Sequence, residues 1–353
     1  MKLKVPRDFF LKGIKGAIYP LICLLVLVVT GEVLGRIYLG FRYGALGKRY
    51  GIFQSDPQLR MVHRPNSFNT ITRLNNYGLR NPDDTQKEKA SGALRVMVFG
   101  GSTTFGINLK DHETYPLQLQ EKLRAQPGFE KTEVLNAGVI CYSAGHNLLL
   151  MKRLLPELKP DYVLIFEGVN ELLNSWILGR DGVKLDELKT FGAIGKSYSQ
   201  ADWLMQKSVL AKLVSSLLVK EMEKKRAEKV AHEIHENSPE AVAGPAHPWV
   251  IENYKYLLTE MIHLARSHGA TVVVIRFASY RRPDMRQFSD WALEIATREG
   301  ALVFDEQAHF EKSGISPEKL FIYTGVHTTP LGADLMASGL FDLIMNQEKI
   351  KNG

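Results

Sequence analysis

Between residues 16 and 31 the chain reads GAIYPLICLLVLVVTG without a charge, and Phe9, Phe10, Leu11, Val33, Leu34, Ile37 and Tyr38 extend its apolar character. A run of this kind has no polar face, so it predicts a helix that meets lipid, with Lys15 and Glu32 at the two interfaces. Past residue 45 the pattern changes. Residues 46–92 are rich in Asn, Pro, Asp, Gly and Arg and read as loops, with one edge strand over Phe68–Thr72. From residue 93 onward short apolar runs alternate with amphipathic segments. Strands are predicted at Val96–Phe99, Glu133–Asn136, Tyr162–Phe166, Thr271–Phe277 and Leu302–Phe304. Between them the spacing predicts helices over Tyr115–Arg124, His146–Leu155, Trp249–Ser267, Ser289–Arg298 and Leu331–Met345. This alternation predicts an α/β fold whose parallel sheet is covered on both faces.

A stretch from about 174 to 248 interrupts the alternation without any strand signal. Leu210, Leu213, Val214, Leu217 and Leu218 make one apolar stripe there, so the segment reads as a helical insertion that packs on the parent domain or on a protein partner. Three regions result: a cytoplasmic N-terminus and signal anchor over 1–45, a linker and flap over 46–92, and an α/β domain over 93–350.

Composition changes this picture little. Hydrophobic residues at 45% and charged residues at 24% are ordinary for a folded chain and argue against disorder and against a multi-span membrane protein. Charge placement is more informative. Part of the net charge of +7 comes from Lys2, Lys4, Arg7, Lys12 and Lys15, which precede the apolar run and face only Asp8. Such a bias predicts a single-pass helix of the inner (plasma) membrane with its N-terminus inside and everything after Arg36 outside, in the periplasm or extracellular space. TGEVLGR is a poor cleavage site, so an uncleaved anchor is expected rather than a removed signal peptide. The other basic residues alternate with acids, as in residues 221–226, and no nucleic-acid partner is expected.

Candidate chemistry sits at the strand ends. The first predicted strand runs into Val-Phe-Gly-Gly-Ser-Thr-Thr-Phe-Gly, residues 98–106, where Gly100 and Gly101 allow a sharp turn that presents Ser102 at the carboxyl edge of the sheet. Neither glycine-rich nucleotide motif fits, and Thr104 stands where a G-x-S-x-G elbow needs its second glycine. The second strand leads to Gly138 and the third to Asn170, while Pro330 opens the last helix and leaves His327 on the loop before it.

These four stretches, in this order, resemble the motif blocks of the SGNH/GDSL hydrolases, in bacterial membrane-anchored form. The resemblance implies a flavodoxin-like three-layer α/β/α sandwich, Ser102 as nucleophile, His327 as its base, and an oxyanion hole built from the Ser102 and Gly138 N–H groups and the Asn170 amide. Gly-Leu-Arg at 78–80 is similar to the prelude of membrane-tethered members. Two positions depart from the pattern. Gly101 replaces the usual Asp of the first block, and Thr324 stands where the family places the acid of Asp-x-x-His. In a serine protease triad, an amide in place of that acid costs about 10⁴ in turnover. Three readings stand open: a Ser-His dyad oriented by Thr324 or a backbone carbonyl, a substitute acid of which Asp305 and Glu306 are the candidates, and an inactive relative. The dyad is favoured here.

The function expected is a serine-dependent esterase that acts through an acyl-enzyme on an ester-bearing small molecule or an acylated glycan, such as an exported polysaccharide, and needs no cofactor and no metal. An O-acyltransferase would use the same residues, and a noncatalytic membrane-anchored scaffold is the alternative of another class.

Overall fold

A computed structural model of the protein describes residues 7–42, 49–69, 71–171, 208, 248–280, 285–322 and 325–352. The helical insertion expected over about 174–248 and the apolar stripe within it lie outside the described residues. Two compact units make up the chain, Met1–Tyr50 with Ser199–Asn237 and Gly51–Tyr198 with Ser238–Gly353.

The first unit contains helix α1 (Arg7–Arg42). Within it the 21 residues Ile18–Tyr38 are long and apolar enough to cross a membrane. Leu21, Leu25 and Leu27 are more than half exposed, as expected of side chains that meet lipid rather than protein. Glu32, expected at an interface, falls inside this stretch instead. It pairs one turn on with Arg36 at 2.6 Å, so the two charges offset each other on the helix surface.

The second unit is built on five parallel strands, β3 (Arg95–Gly100), β4 (Glu133–Asn136), β5 (Tyr162–Phe166), β6 (Thr271–Arg276) and β7 (Leu302–Asp305). Their spatial order is β4-β3-β5-β6-β7, the flavodoxin-like arrangement. Every residue of β3 and β5 is buried, which is why these strands read as continuous apolar runs rather than alternating ones. One face is covered by α3 (Tyr115–Arg124) packed on α9 (Pro330–Asn352), the other by α4 (Ala144–Leu158), α5 (Pro248–Ser267) and α6 (Arg286–Arg298). Strand order reverses at β3, with β4 on one side and β5 on the other. Such a switch point opens a crevice beyond the carboxyl ends of the strands.

Differences from the sequence reading concentrate where local chemistry overrides periodicity. Residues read as plain loop form an antiparallel hairpin, β1 (Phe53–Asp56) with β2 (Arg60–His63). Its turn is Asp56-Pro57-Gln58-Leu59, where Asp56 Oδ1 accepts the Gln58 and Leu59 N–H groups at 2.9 and 2.7 Å. The edge strand expected over Phe68–Thr72 is reduced to the two-residue strand Ser67–Phe68 and a bridge between Phe68 and Arg73, because Asn69 Oδ1 takes the Ile71 and Thr72 N–H groups and turns the chain. Three short helices, α2 (Ser102–Phe105), α7 (Glu306–Lys312) and α8 (Pro317–Leu320), carry no periodic signal of their own.

Candidate active site

The crevice at the switch point collects most of the residues singled out in the sequence. Gly100 and Gly101 carry the chain from β3 into α2. A Cβ at Gly100 would overlap Thr104 Oγ1 and crowd Phe166 O, so only glycine lets the turn close against β5. Ser102 is the first residue of α2 and is 9% exposed. Its Oγ lies 2.8 Å from His327 Nε2.

His327 reaches it from a tight turn between α8 and α9. Phe321 and Thr328 form an antiparallel bridge, Ile322 N–H donates to His327 O at 2.8 Å, and Thr329 N–H donates to Leu320 O at 2.8 Å. The ring is partly covered, and burial lowers its pKa below the ordinary imidazole value of 6.5, which keeps it neutral at pH 7. Thr324 lies outside the described residues.

Asn170 follows β5 and is 8% exposed. Its Nδ2 donates to Tyr142 O at 2.6 Å, which spends one of its two amide protons and leaves the other. The loop that bears it is stapled to the start of α4 by Glu171, whose carboxylate accepts Ala144 N–H at 2.5 Å and Gly168 N–H at 3.0 Å. Glu171 is thus structural. Gly101 makes room for Asn170: a Cβ at position 101 would overlap Asn170 Nδ2. An Asp at this position would therefore have to displace the Asn170 amide.

Gly138 follows β4 and packs on the backbone of α2, where a Cβ would overlap Phe105 N. Its N–H, expected as an oxyanion donor, is directed to Asn136 Oδ1 at 3.0 Å. Asn136 is fully buried and ties two strand ends together, since its Nδ2 also donates to Thr104 O at 3.0 Å. Its role was missed in the sequence because an Asn at the end of a strand reads as a turn former.

The two candidate substitute acids are occupied elsewhere. Asp305 caps α7 by accepting Ala308 N–H at 3.0 Å and pairs with Arg276 at 2.7 Å, so its carboxylate is bonded away from His327. The cause is local: an Asp just before a helix start captures the free N–H groups of the first turn. Glu306 is 1% exposed and accepts Ala278 N–H at 2.8 Å, while its Oε1 has no partner. Burial pushes its pKa up to about 8, and at neutral pH it is mostly an uncharged acid.

Residues 98–335 match the model of the GDSL-like Lipase/Acylhydrolase family, which covers more than half of the chain and both Ser102 and His327. The chain belongs to this family. A comparison with curated protein sequences gives no match. Similar solved structures include the psychrotrophic esterase EstA from Pseudoalteromonas sp., at 14% identity over 72% of this chain and 98% of that one, with a TM-score of 0.43. LAE5, an alpha/beta hydrolase enzyme from the metagenome of Lake Arreo, Spain, is 16% identical over 73% of this chain and 97% of that one, with a TM-score of 0.45. The acetyl xylan esterase AlAXEase is 15% identical over 71% of this chain and 100% of that one, with a TM-score of 0.44.

Two outcomes are expected from this geometry. Gly101→Asp, which restores the family's usual first block, should displace the Asn170 amide and lower ester turnover on the order of 10²-fold, as the loss of one oxyanion donor does; undiminished turnover would contradict the steric account. Glu306→Gln tests the buried acid through stability. In the unfolded chain Glu306 ionises near its ordinary 4.5, and in the folded chain only near 8, so its ionisation works against folding increasingly as pH rises between these values. The variant should melt like wild type at pH 4 to 5 and at a higher temperature by pH 8 to 9. An offset that does not change with pH would contradict it.

Proposed function

We propose that this chain is a membrane-anchored serine ester hydrolase that works through an acyl-enzyme on Ser102. The observation that carries the reading is the 2.8 Å contact between Ser102 Oγ and His327 Nε2 at the switch-point crevice. Nε2 accepts the Ser102 proton as Oγ attacks the carbonyl carbon of the ester. The oxyanion meets the Ser102 N–H, which as the first N–H of a helix has no carbonyl one turn back, and the second amide proton of Asn170. Gly138 joins them by sharing the N–H that Asn136 holds. Collapse of the tetrahedral species returns the proton from His327 to the departing alcohol and leaves Ser102 acylated. Water then attacks the acyl group, gives its proton to His327, and the acid leaves as Ser102 recovers its hydrogen.

The neutral, partly buried imidazole supports His327 as the base, and neither Asp305, whose carboxylate is bonded to other groups, nor Glu306, which is uncharged, serves as its third acid. The five basic residues ahead of the apolar helix support an N-terminus inside and a catalytic unit outside the membrane. Facing that side, the enzyme would meet acyl esters of exported or cell-surface glycans, and we place its substrate there.

The test is turnover of p-nitrophenyl acetate by the detergent-solubilised full chain. Activity should disappear in Ser102→Ala and His327→Ala. Since burial depresses the imidazole pKa, kcat/KM should rise with pH through a midpoint below the ordinary 6.5. Turnover that survives both substitutions would overturn the reading, and a midpoint above 6.5 would overturn the effect of burial assigned to His327.

A further inference from the structure

Helix α2 is four residues long, and a segment of that length cannot satisfy its own carbonyls. Other groups do so. Ser102 O accepts the Gly106 and Ile107 N–H groups at 3.0 and 3.1 Å, and Thr104 O accepts Asn136 Nδ2 at 3.0 Å. The next two carbonyls, Phe105 O and Gly106 O, both accept from Arg80 Nη1 at 2.7 Å. Arg80 Nη2 continues to Leu109 O at 2.6 Å and Ile71 O at 3.3 Å, and Nε donates to Asp111 Oδ1 at 3.1 Å. Five bonds match the five N–H groups of a guanidinium.

The side chain is fully buried, and its guanidinium lies over the Phe105 ring at 4.6 Å from the centroid. Arg80 N–H also donates to Asn136 O at 2.9 Å, so its backbone is tied to the strand end that holds Gly138. Burial of this cation is costly, and the Asp111 carboxylate offsets part of that cost. A buried ion pair of this kind is weak evidence for stability as such. Its place at the C-terminal end of the helix that begins with Ser102 points to a different use.

We propose that Arg80 is a positioning residue for the reaction at Ser102: its guanidinium, fixed by Asp111, holds the far end of the one-turn helix so that Ser102 Oγ stays within reach of His327 Nε2. This rests on the reading of Ser102 as the nucleophile. Lysine cannot replace it, because one ammonium cannot span carbonyls of four residues and a carboxylate in the way a planar fork does. A cation at that end also opposes the negative pole of the helix.

The experiment compares wild type, Arg80→Lys and Asp111→Asn as full chains in detergent, with p-nitrophenyl acetate as substrate and the folded fraction taken from the melting transition. A misplacement of about 1 Å costs on the order of 10²-fold in rate, so Arg80→Lys should lower kcat per folded molecule by that factor with KM unchanged. Asp111→Asn should lower kcat less, again at unchanged KM. Full kcat per folded molecule in Arg80→Lys, with only the melting temperature reduced, would overturn the positioning role. If Arg80→Lys does not fold, Asp111→Asn decides: reduced kcat supports the role and wild-type kcat overturns it. A wild-type chain without turnover removes the proposed reaction itself, and the positioning role with it.

Discussion

The contact between Ser102 Oγ and His327 Nε2 joins residues 225 positions apart, and neither side chain is placed by its own secondary structure. Ser102 begins a helix too short to stand alone, and His327 sits in a turn between two helices. A hydrogen bond of 2.8 Å between such residues exists only if both supports are fixed from outside. On the serine side the fixing is done by Gly100 against β5, by Asn136 from β4 and by Arg80 from the segment before the sheet. On the histidine side it is done by the backbone of residues 320–322 paired with that of 327–329.

These supports are polar and buried, which makes them demanding. A buried group left without its partner costs roughly 1–3 kcal/mol, more when charged. The structure meets that demand by giving most such groups backbone partners: Arg80 takes four carbonyl contacts, Glu171 takes two N–H groups, and Asn136 serves both a carbonyl and an N–H. Backbone partners fix the loops themselves, so the same bonds that satisfy the buried groups also shape the crevice. Glu306 accepts one backbone N–H and leaves its other oxygen without a partner among the described residues, and its burial keeps it mostly uncharged at neutral pH.

The sheet was legible because strands buried on both faces, as β3 and β5 are throughout, must be largely apolar, and each of β3 to β7 has an apolar centre whose expected bounds lie within a residue of the observed ends. Ser102, Asn170 and His327 were legible because strand ends and helix starts are where an α/β sheet exposes chemistry. What could not be read is what depends on partners distant in sequence. Nothing around Arg80 states that its guanidinium will meet carbonyls at 105, 106 and 109, and Gly-Leu-Arg at 78–80 offered only a family likeness. Gly101 looked like a lost aspartate until Asn170 was seen beside it. Asp305 looked available to His327, yet its proximity to the start of α7 and to Arg276 had already committed it. The Asp56-Pro57 turn was the one miss that local chemistry did announce.

Everything proposed for this site depends on Ser102 Oγ being a nucleophile activated by His327. The most direct test is to treat the folded full chain with a fluorophosphonate, digest it, and locate the adduct by peptide mass. One adduct per chain on the peptide that contains Ser102, formed more slowly as pH falls through the imidazole midpoint, is the predicted result. An adduct on another residue, or none on a folded chain, would contradict it.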